Sequence, residues 1–314
     1  MLSKTDIEQA RKRISGYLNE TPLLTSVTLN KMCGASLYFK CENFQKSGSF
    51  KYRGVANALL SLSEKDRQKG VITHSSGNHG AALAAFSSKL SLHCTVVVPE
   101  ATSEFKFSAI ERYGAHIVKC GNSLESRELA VKDLIEQKDM TFIPPYDHLD
   151  VISGQGTLGL EVMEELEAVE EIWLPVGGGG LAGGNVLSVG GSAQVVGAEP
   201  LLASDAHESL RIGVRQPQRE PKTCADGLRT ALGELNFEIL SKYSLPIYLV
   251  DEAEIKDAQA ILMSCLNILV EPSAAVAFAA LLKNGPHHSQ SKVICLVVSG
   301  GTVSYTHLTL PTKA

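Results

Sequence analysis

Three short runs carry the residue types that chemistry needs. The first is ENFQKSGSFKYRG, in which Lys51 follows a Gly/Ser turn and precedes the helix-forming stretch VANALLSL. A lysine amine attacks a carbonyl only when neutral, a state that burial or a nearby cation favours by lowering its pKa. A lysine in a loop is otherwise a solvated charge, and Lys46 and Arg53 on either side are read that way. The second run is LPVGGGGLAGG, where Gly177, Gly178, Gly179 and Gly180 join an apolar strand to a helix. Four consecutive glycines forfeit about 2–4 kcal/mol against alanine in ordered structure, so close approach to the backbone explains them better than stability does. Free N–H groups ahead of a helix N-terminus bind phosphate, and the helix dipole adds to the attraction. The third run, THSSGNHG, puts Ser75, Ser76, Gly77, Asn78 and His79 at another strand-to-helix junction. Serines and backbone N–H groups there can hold a carboxylate and Asn78 a ring hydroxyl, although an N-cap with a turn explains the same residues.

The glycine run is not a dinucleotide fingerprint, which wants an acid at the end of the second strand about 20 residues on. Glu199 in VVGAEP is the one candidate, so a nicotinamide oxidoreductase stands as an alternative. A phosphate-bearing cofactor with a reactive aldehyde suits Lys51 better.

These junctions need strands and helices to hold them. SLYFK, VITHSS, HCTVVVP, AHIVKC, EIWLPV, QVVGAE, LPIYLV and VICLVVSGG read as strands, with amphipathic segments between most of them. Such alternation predicts an α/β fold with parallel sheets covered by helices. Turn-rich stretches at 45–49 and 144–147 flank three strand-and-helix units, so residues 70–146 are expected as a small domain inserted in a large one, 1–69 with 147–302. Thr5 and Glu8 form a capping box for a first helix with Ile7, Ala10, Ile14 and Leu18 on one stripe, and Gly154 and Gln155 read as a helix start.

The 314 residues suffice for about two cores, and a net charge of −5 with scattered Lys and Arg excludes a nucleic-acid stripe. The N-terminus lacks the apolar segment of a signal peptide, and no apolar run reaches the roughly 18 residues of a membrane span, which places the chain in the cytoplasm. Seven cysteines without a CxxC argue against disulfides and zinc, and Cys41, Cys94, Cys120 and Cys295, in apolar runs, read as buried thiols. The closing VSYTHLTLPTKA, residues 303–314, has neither period and is read as non-native sequence that interrupts the natural one near Gly301.

With its three runs in this order, the chain resembles the fold-type-II pyridoxal-phosphate enzymes, in the branch of serine racemases and serine and threonine dehydratases. The resemblance implies two open, twisted, mostly parallel sheets with helices on both faces, and a homodimer. SGSFKYRG resembles the Schiff-base lysine motif, which puts pyridoxal phosphate on Lys51 with Phe50 beside its ring. GGGGL resembles the phosphate loop, formed by Gly177, Gly178, Gly179, Gly180 and Leu181. SSGNHG resembles the substrate-carboxylate loop, Ser75 to His79, with Asn78 meeting the cofactor's 3′-hydroxyl. VVSGG places Ser299 at the ring nitrogen, where a serine cannot protonate as a carboxylic acid does, so the electron sink is weaker. Gly227 in CADGLR would lie beneath the ring and Glu271 in LVEPSAAV near it. Glu271 also reads as a helix N-terminal carboxylate before Pro272. Thr302 departs from the Asn usual after SGG, as a non-native junction would.

Racemisation needs one group to take the α-proton from one face and another to deliver a proton to the opposite face. The resemblance gives these roles to Lys51 and to Ser76, where similar dehydratases usually carry alanine. Interconversion of L- and D-serine is therefore expected, with elimination of serine to pyruvate and ammonia beside it. Threonine is a second possible substrate, and a dehydratase without racemase activity or an inactive binding protein are the alternatives. GAEPLLASD resembles a metal site of Glu199, the Ala203 carbonyl and Asp205. Oxygen ligands of this kind suit Mg²⁺, Mn²⁺ or Ca²⁺. Without the resemblance these acids, like His207, read as ordinary surface residues.

Overall fold

The computed structural model describes residues 2–217, 220–285 and 292–303. The tail beyond Val303, expected to be non-native, lies outside the described residues. Among the described residues ten strands form two sheets: β1 (Leu23–Leu24), β2 (Ser36–Cys41), β3 (Val71–His74), β4 (Cys94–Pro99), β5 (His116–Cys120), β6 (Thr141–Phe142), β7 (Glu171–Pro175), β8 (Gln194–Pro200), β9 (Ile247–Val250) and β10 (Val293–Val298). The eight strands read from the sequence are all present. The other two, β1 and β6, span two residues each, too short to show an alternation.

One sheet has the order β1-β2-β10-β7-β8-β9 and is parallel apart from β1, which runs antiparallel to β2. The other, β5-β4-β3-β6, is wholly parallel. Parallel strands are covered on both faces, and β10 shows how. Ile294, Leu296 and Val298 share a core with Phe278 and its neighbours in the Pro272–Asn284 helix. Cys295 and Val297, pointing the other way, share one with Ile152, Leu158, Leu181 and Val186 of the Leu149–Glu165 and Gly180–Val189 helices. This is the α/β architecture the resemblance implied. The Lys51 run, the Ser75–His79 loop, the glycine run and Ser299 follow the carboxyl ends of β2, β3, β7 and β10 in turn, the side on which open parallel sheets place their ligand crevices.

Several local expectations are corrected. The capping box of the first helix is Ser3 with Asp6, two residues before the expected pair: the Ser3 N–H donates to Asp6 Oδ2 at 2.8 Å. Both pairs satisfy the same pattern, and the helix begins at Lys4. Gly154 and Gln155 lie inside the Leu149–Glu165 helix, not at its start. Cys41, Cys94 and Cys295 are buried, but Cys120 is half-exposed because β5 is a sheet edge. All seven cysteines are free thiols. Among the described residues no helix is long and apolar enough to cross a membrane.

Candidate active site

The ends of β3, β7 and β10 open onto one cavity of about 340 Å³. Phe50, Lys51, the Ser75–His79 loop, Gly177–Leu181, Gly227, Glu271 and Ser299 all line it. Lys51 begins the Lys51–Ser61 helix, and its Nζ donates to the Pro145 carbonyl at 2.8 Å, 5.1 Å from the centre of the Phe50 ring. Burial lowers its pKa from 10.5 to about 8, against the opposing charge of Glu271. A lysine so placed is neutral in a useful fraction of molecules near neutral pH, as attack on a carbonyl requires.

The glycine run forms a cradle. None of the N–H groups of Gly177, Gly178, Gly179 or Gly180 finds an acceptor among the described residues, and Gly180 opens a ten-residue helix. Free N–H groups at a helix N-terminus suit a phosphate. A Cβ at Gly178 would run into the Tyr146 ring, whose hydroxyl accepts from Thr230 at 2.8 Å. The Gly178 carbonyl is held at 3.0 Å by Asn236 Nδ2, which also reaches Asp147.

Across the cavity, Asn78 heads the Asn78–Lys89 helix and its Nδ2 donates to both oxygens of Glu271, at 2.9 and 3.1 Å. Glu271 is the N-cap of the Pro272–Asn284 helix, but its side chain turns into the cavity instead of capping that helix. Burial, then the charge of Asp226, push its carboxyl from 4.5 up to about 7, while the Asn78 bond pulls the other way. Ser299 is buried, and its carbonyl accepts from the Phe50 N–H at 3.0 Å, tying β10 to the lysine helix. The Gly227 N–H donates to Ser273 Oγ at 2.9 Å. His79 is deeply buried with Nε2 against the Ile143 carbonyl at 3.1 Å. Burial and the charge of Lys51 push its pKa down to about 3, so its ring is neutral at physiological pH. A phosphate cradle, a lysine that can be neutral and a buried serine hydroxyl around one cavity fit a phosphorylated aldehyde cofactor.

Glu199, Ala203 and Asp205 lie elsewhere. Glu199, at the end of β8, is buried, and its carboxylate accepts the N–H groups of His207 at 2.7 Å and Ala206 at 3.2 Å. Ala203 closes a 3₁₀ turn, Leu201–Ala203, and Asp205 Oδ2 accepts the Leu232 N–H at 2.7 Å. Burial first, then the charge of Asp205, hold the Glu199 carboxyl well above its ordinary range. Glu199 is thus no surface acid, and His207 is half-buried with Nδ1 2.9 Å from the Ile247 carbonyl.

Other cavity groups escaped the sequence reading. Lys106, in the Glu104–Glu111 helix beside the four-stranded sheet, forms an ion pair with Asp226, the neighbour of Gly227. Asp226 stands in the run that singled out Gly227, but no spacing connects it to Lys106. Tyr146 and Asp147 follow a Pro-Pro turn that served only as a boundary. Arg53, read as solvated, is completely buried.

Residues 14–300 match the family described as pyridoxal-phosphate dependent enzyme, and the chain belongs to that family. Pyridoxal phosphate is therefore its cofactor. The chain is 45% identical over 309 residues to a serine racemase of Dictyostelium discoideum, covering 96% of this chain and 95% of that one. It is 40% identical over 303 residues to an L-threo-3-hydroxyaspartate ammonia-lyase of Saccharomyces cerevisiae, covering 95% and 92%. Among solved structures, a maize serine racemase superposes with a TM-score of 0.94 at 35% identity, over 98% of this chain and 95% of that one.

Proposed function

We propose that this chain interconverts L- and D-serine and also eliminates water from serine, yielding pyruvate and ammonia. One observation carries the reading: the Lys51 amine and the Ser76 residue border the same cavity from different elements, a helix start and the loop after β3. Bound pyridoxal phosphate supplies the electron sink that makes the substrate Cα–H acidic. Lys51 carries the cofactor and moves the α-proton on one face, and Ser76 Oγ holds the exchangeable proton on the other. Elimination needs only the lysine, so both outcomes belong to one site.

The remaining residues bind and orient. The free N–H groups of Gly177 to Gly180, with Leu181, would hold the phosphate, and Phe50 would pack against the ring. Ser299 would hold the ring nitrogen by a hydrogen bond without protonating it, Gly227 would give the ring a surface without a side chain, and Asn78, its amide held by Glu271, would hold the 3′-hydroxyl. Ser75, Ser76, Gly77, Asn78 and His79, around the start of the Asn78–Lys89 helix, would take the substrate carboxylate.

A divalent cation, Mg²⁺ or else Mn²⁺ or Ca²⁺, is assigned to Glu199, the Ala203 carbonyl and Asp205. Among the described residues no three His, Cys, Asp or Glu side chains group to hold a metal, which leaves two carboxylates and a carbonyl with water. Two acids close enough to repel, one of them buried, fit a cation that would offset that repulsion. We place the enzyme in the cytoplasm as a homodimer, with residues 70–146 as the small domain and 1–69 with 147–302 as the large one.

The test is incubation with L-serine in the presence of pyridoxal phosphate, with chiral separation of the amino acid and assay of pyruvate. D-serine and pyruvate together are expected. Pyruvate without D-serine would reassign the chain to a serine or threonine dehydratase.

A further inference from the structure

Arg53 stands two residues beyond Lys51 and is 0% exposed within the Lys51–Ser61 helix. Its guanidinium is gripped on two sides. Nε and Nη2 donate to Glu42, each at 2.8 Å, while Nη1 and Nη2 donate to Glu161 at 2.6 and 2.7 Å. Glu42 is itself fully buried and accepts the Thr21 hydroxyl at 2.7 Å. Lys40, also 0% exposed, closes the group, donating to Glu165 at 2.7 Å and reaching Glu161 at 3.1 Å. Burial works against the charge on Arg53, yet Glu42 and Glu161 hold its pKa above the ordinary arginine value.

Stability is a poor reason for such a group, because a buried ion network gains little over well-packed apolar side chains. Electrostatics toward the lysine is no better, since Glu271 is the charge that acts on Lys51. Geometry remains. Residues two apart on a helix point about 200° apart, so Arg53 anchors the side of the helix that faces away from Lys51. Beside it the backbones touch: a Cβ on Gly154 would stand 2.6 Å from Gly54 Cα, and the Gly54 N–H donates to Gln155 Oε1 at 3.2 Å. A lysine amine lies about 6 Å from its helix axis, so a roll of about 20° would shift it by about 2 Å. A shift of about 1 Å at a reacting group can cost on the order of 100-fold in rate.

We propose that Arg53 is a positioning residue: its fork to Glu42 and Glu161 fixes the roll of the helix and so aims Lys51 into the cavity. The proposal rests on Lys51 being the residue that carries pyridoxal phosphate. Two variants of the full chain test it. Arg53→Lys keeps the charge but loses the fork, and Arg53→Met with Glu42→Met removes the arginine together with the partner it would strand. Leu262→Ala, a core change in the Glu252–Leu266 helix, serves as a destabilised control. Melting temperature, affinity for pyridoxal phosphate by absorbance, borohydride fixation on Lys51 by mass, and kcat and KM for L-serine are read on each.

Both variants are expected to fold, to bind the cofactor at least about tenfold more weakly, and to lose about tenfold to a hundredfold in kcat. KM is expected to stay within about threefold. Parental affinity and kcat in Arg53→Lys, or in a folded double variant, would overturn the proposal. So would an unfolded Arg53→Lys, or cofactor loss in Leu262→Ala equal to that of the variants at the same melting temperature, since either would make the role purely structural. If only the double variant fails to fold, Arg53→Lys decides alone. A parent chain that is not fixed on Lys51 would remove the underlying assignment, a failure visible before any substitution is made.

Discussion

Glu271→Gln in the cofactor-free protein isolates one buried charge. The Glu271 carboxyl is 4% exposed, and burial raises its pKa from 4.5 to about 7. The folded chain therefore binds this proton more tightly than the unfolded chain does between those values, and stability falls as pH rises from 4.5 to about 7. At 1.36 kcal/mol per pH unit the whole displacement amounts to about 3 kcal/mol. The glutamine has no such proton, and its amide carbonyl still accepts from Asn78. Urea unfolding of parent and variant, followed from about pH 5 to about pH 9, should show the variant gaining on the parent up to about pH 7 and keeping that lead above it. The lysine has the opposite slope: its lowered pKa makes stability rise as pH climbs from about 8 to 10.5 in the parent, and because the Glu271 charge opposes that lowering, the rise starts at a lower pH in the glutamine variant. A difference between the two proteins that stays flat across the acid window would refute the claim that this carboxyl pays for its burial.

Ser76→Ala should suppress formation of D-serine from L-serine well beyond its effect on pyruvate release, and equal losses in the two assays would contradict the second proton-transfer role. Gly178→Ala forces a methyl against the Tyr146 ring and should cost about 1–3 kcal/mol of stability by overpacking, with weaker uptake of pyridoxal phosphate seen by absorbance. Full loading at a parental melting temperature would show that the cradle tolerates a side chain. Chelation with EDTA should lower the melting temperature and Mg²⁺ should restore it, a response that Glu199→Gln abolishes; indifference to EDTA in the parent would leave Glu199 and Asp205 without a cation to hold.

What could be read in advance was what pattern encodes. Strand-length apolar runs such as CTVVVP mark strands buried on both faces, and glycine or serine clusters after them mark the carboxyl-end junctions where one cavity forms. Contacts between distant segments leave no such mark. Nothing in the spacing of Lys106 and Asp226, 120 residues apart, joins them across the cavity, and a two-residue strand such as β6 has no period to detect.

Arg53 shows the deeper reason. A charged residue in a sequence defaults to the surface because burying it alone is prohibitive, and that default holds unless its partners are known. Its partners are Glu42, 11 residues away, and Glu161, 108 residues away. Each of these reads as solvated by the same argument, so the error is shared by all members of the network and cannot be corrected one residue at a time. Only the fold, by bringing the Lys51–Ser61 and Leu149–Glu165 helices into backbone contact, turns several apparent surface charges into one buried group. The chemistry at Lys51 was legible because lysine, glycine and serine near strand ends are uncommon enough to notice, whereas what holds Lys51 in place is built from residues that individually look ordinary.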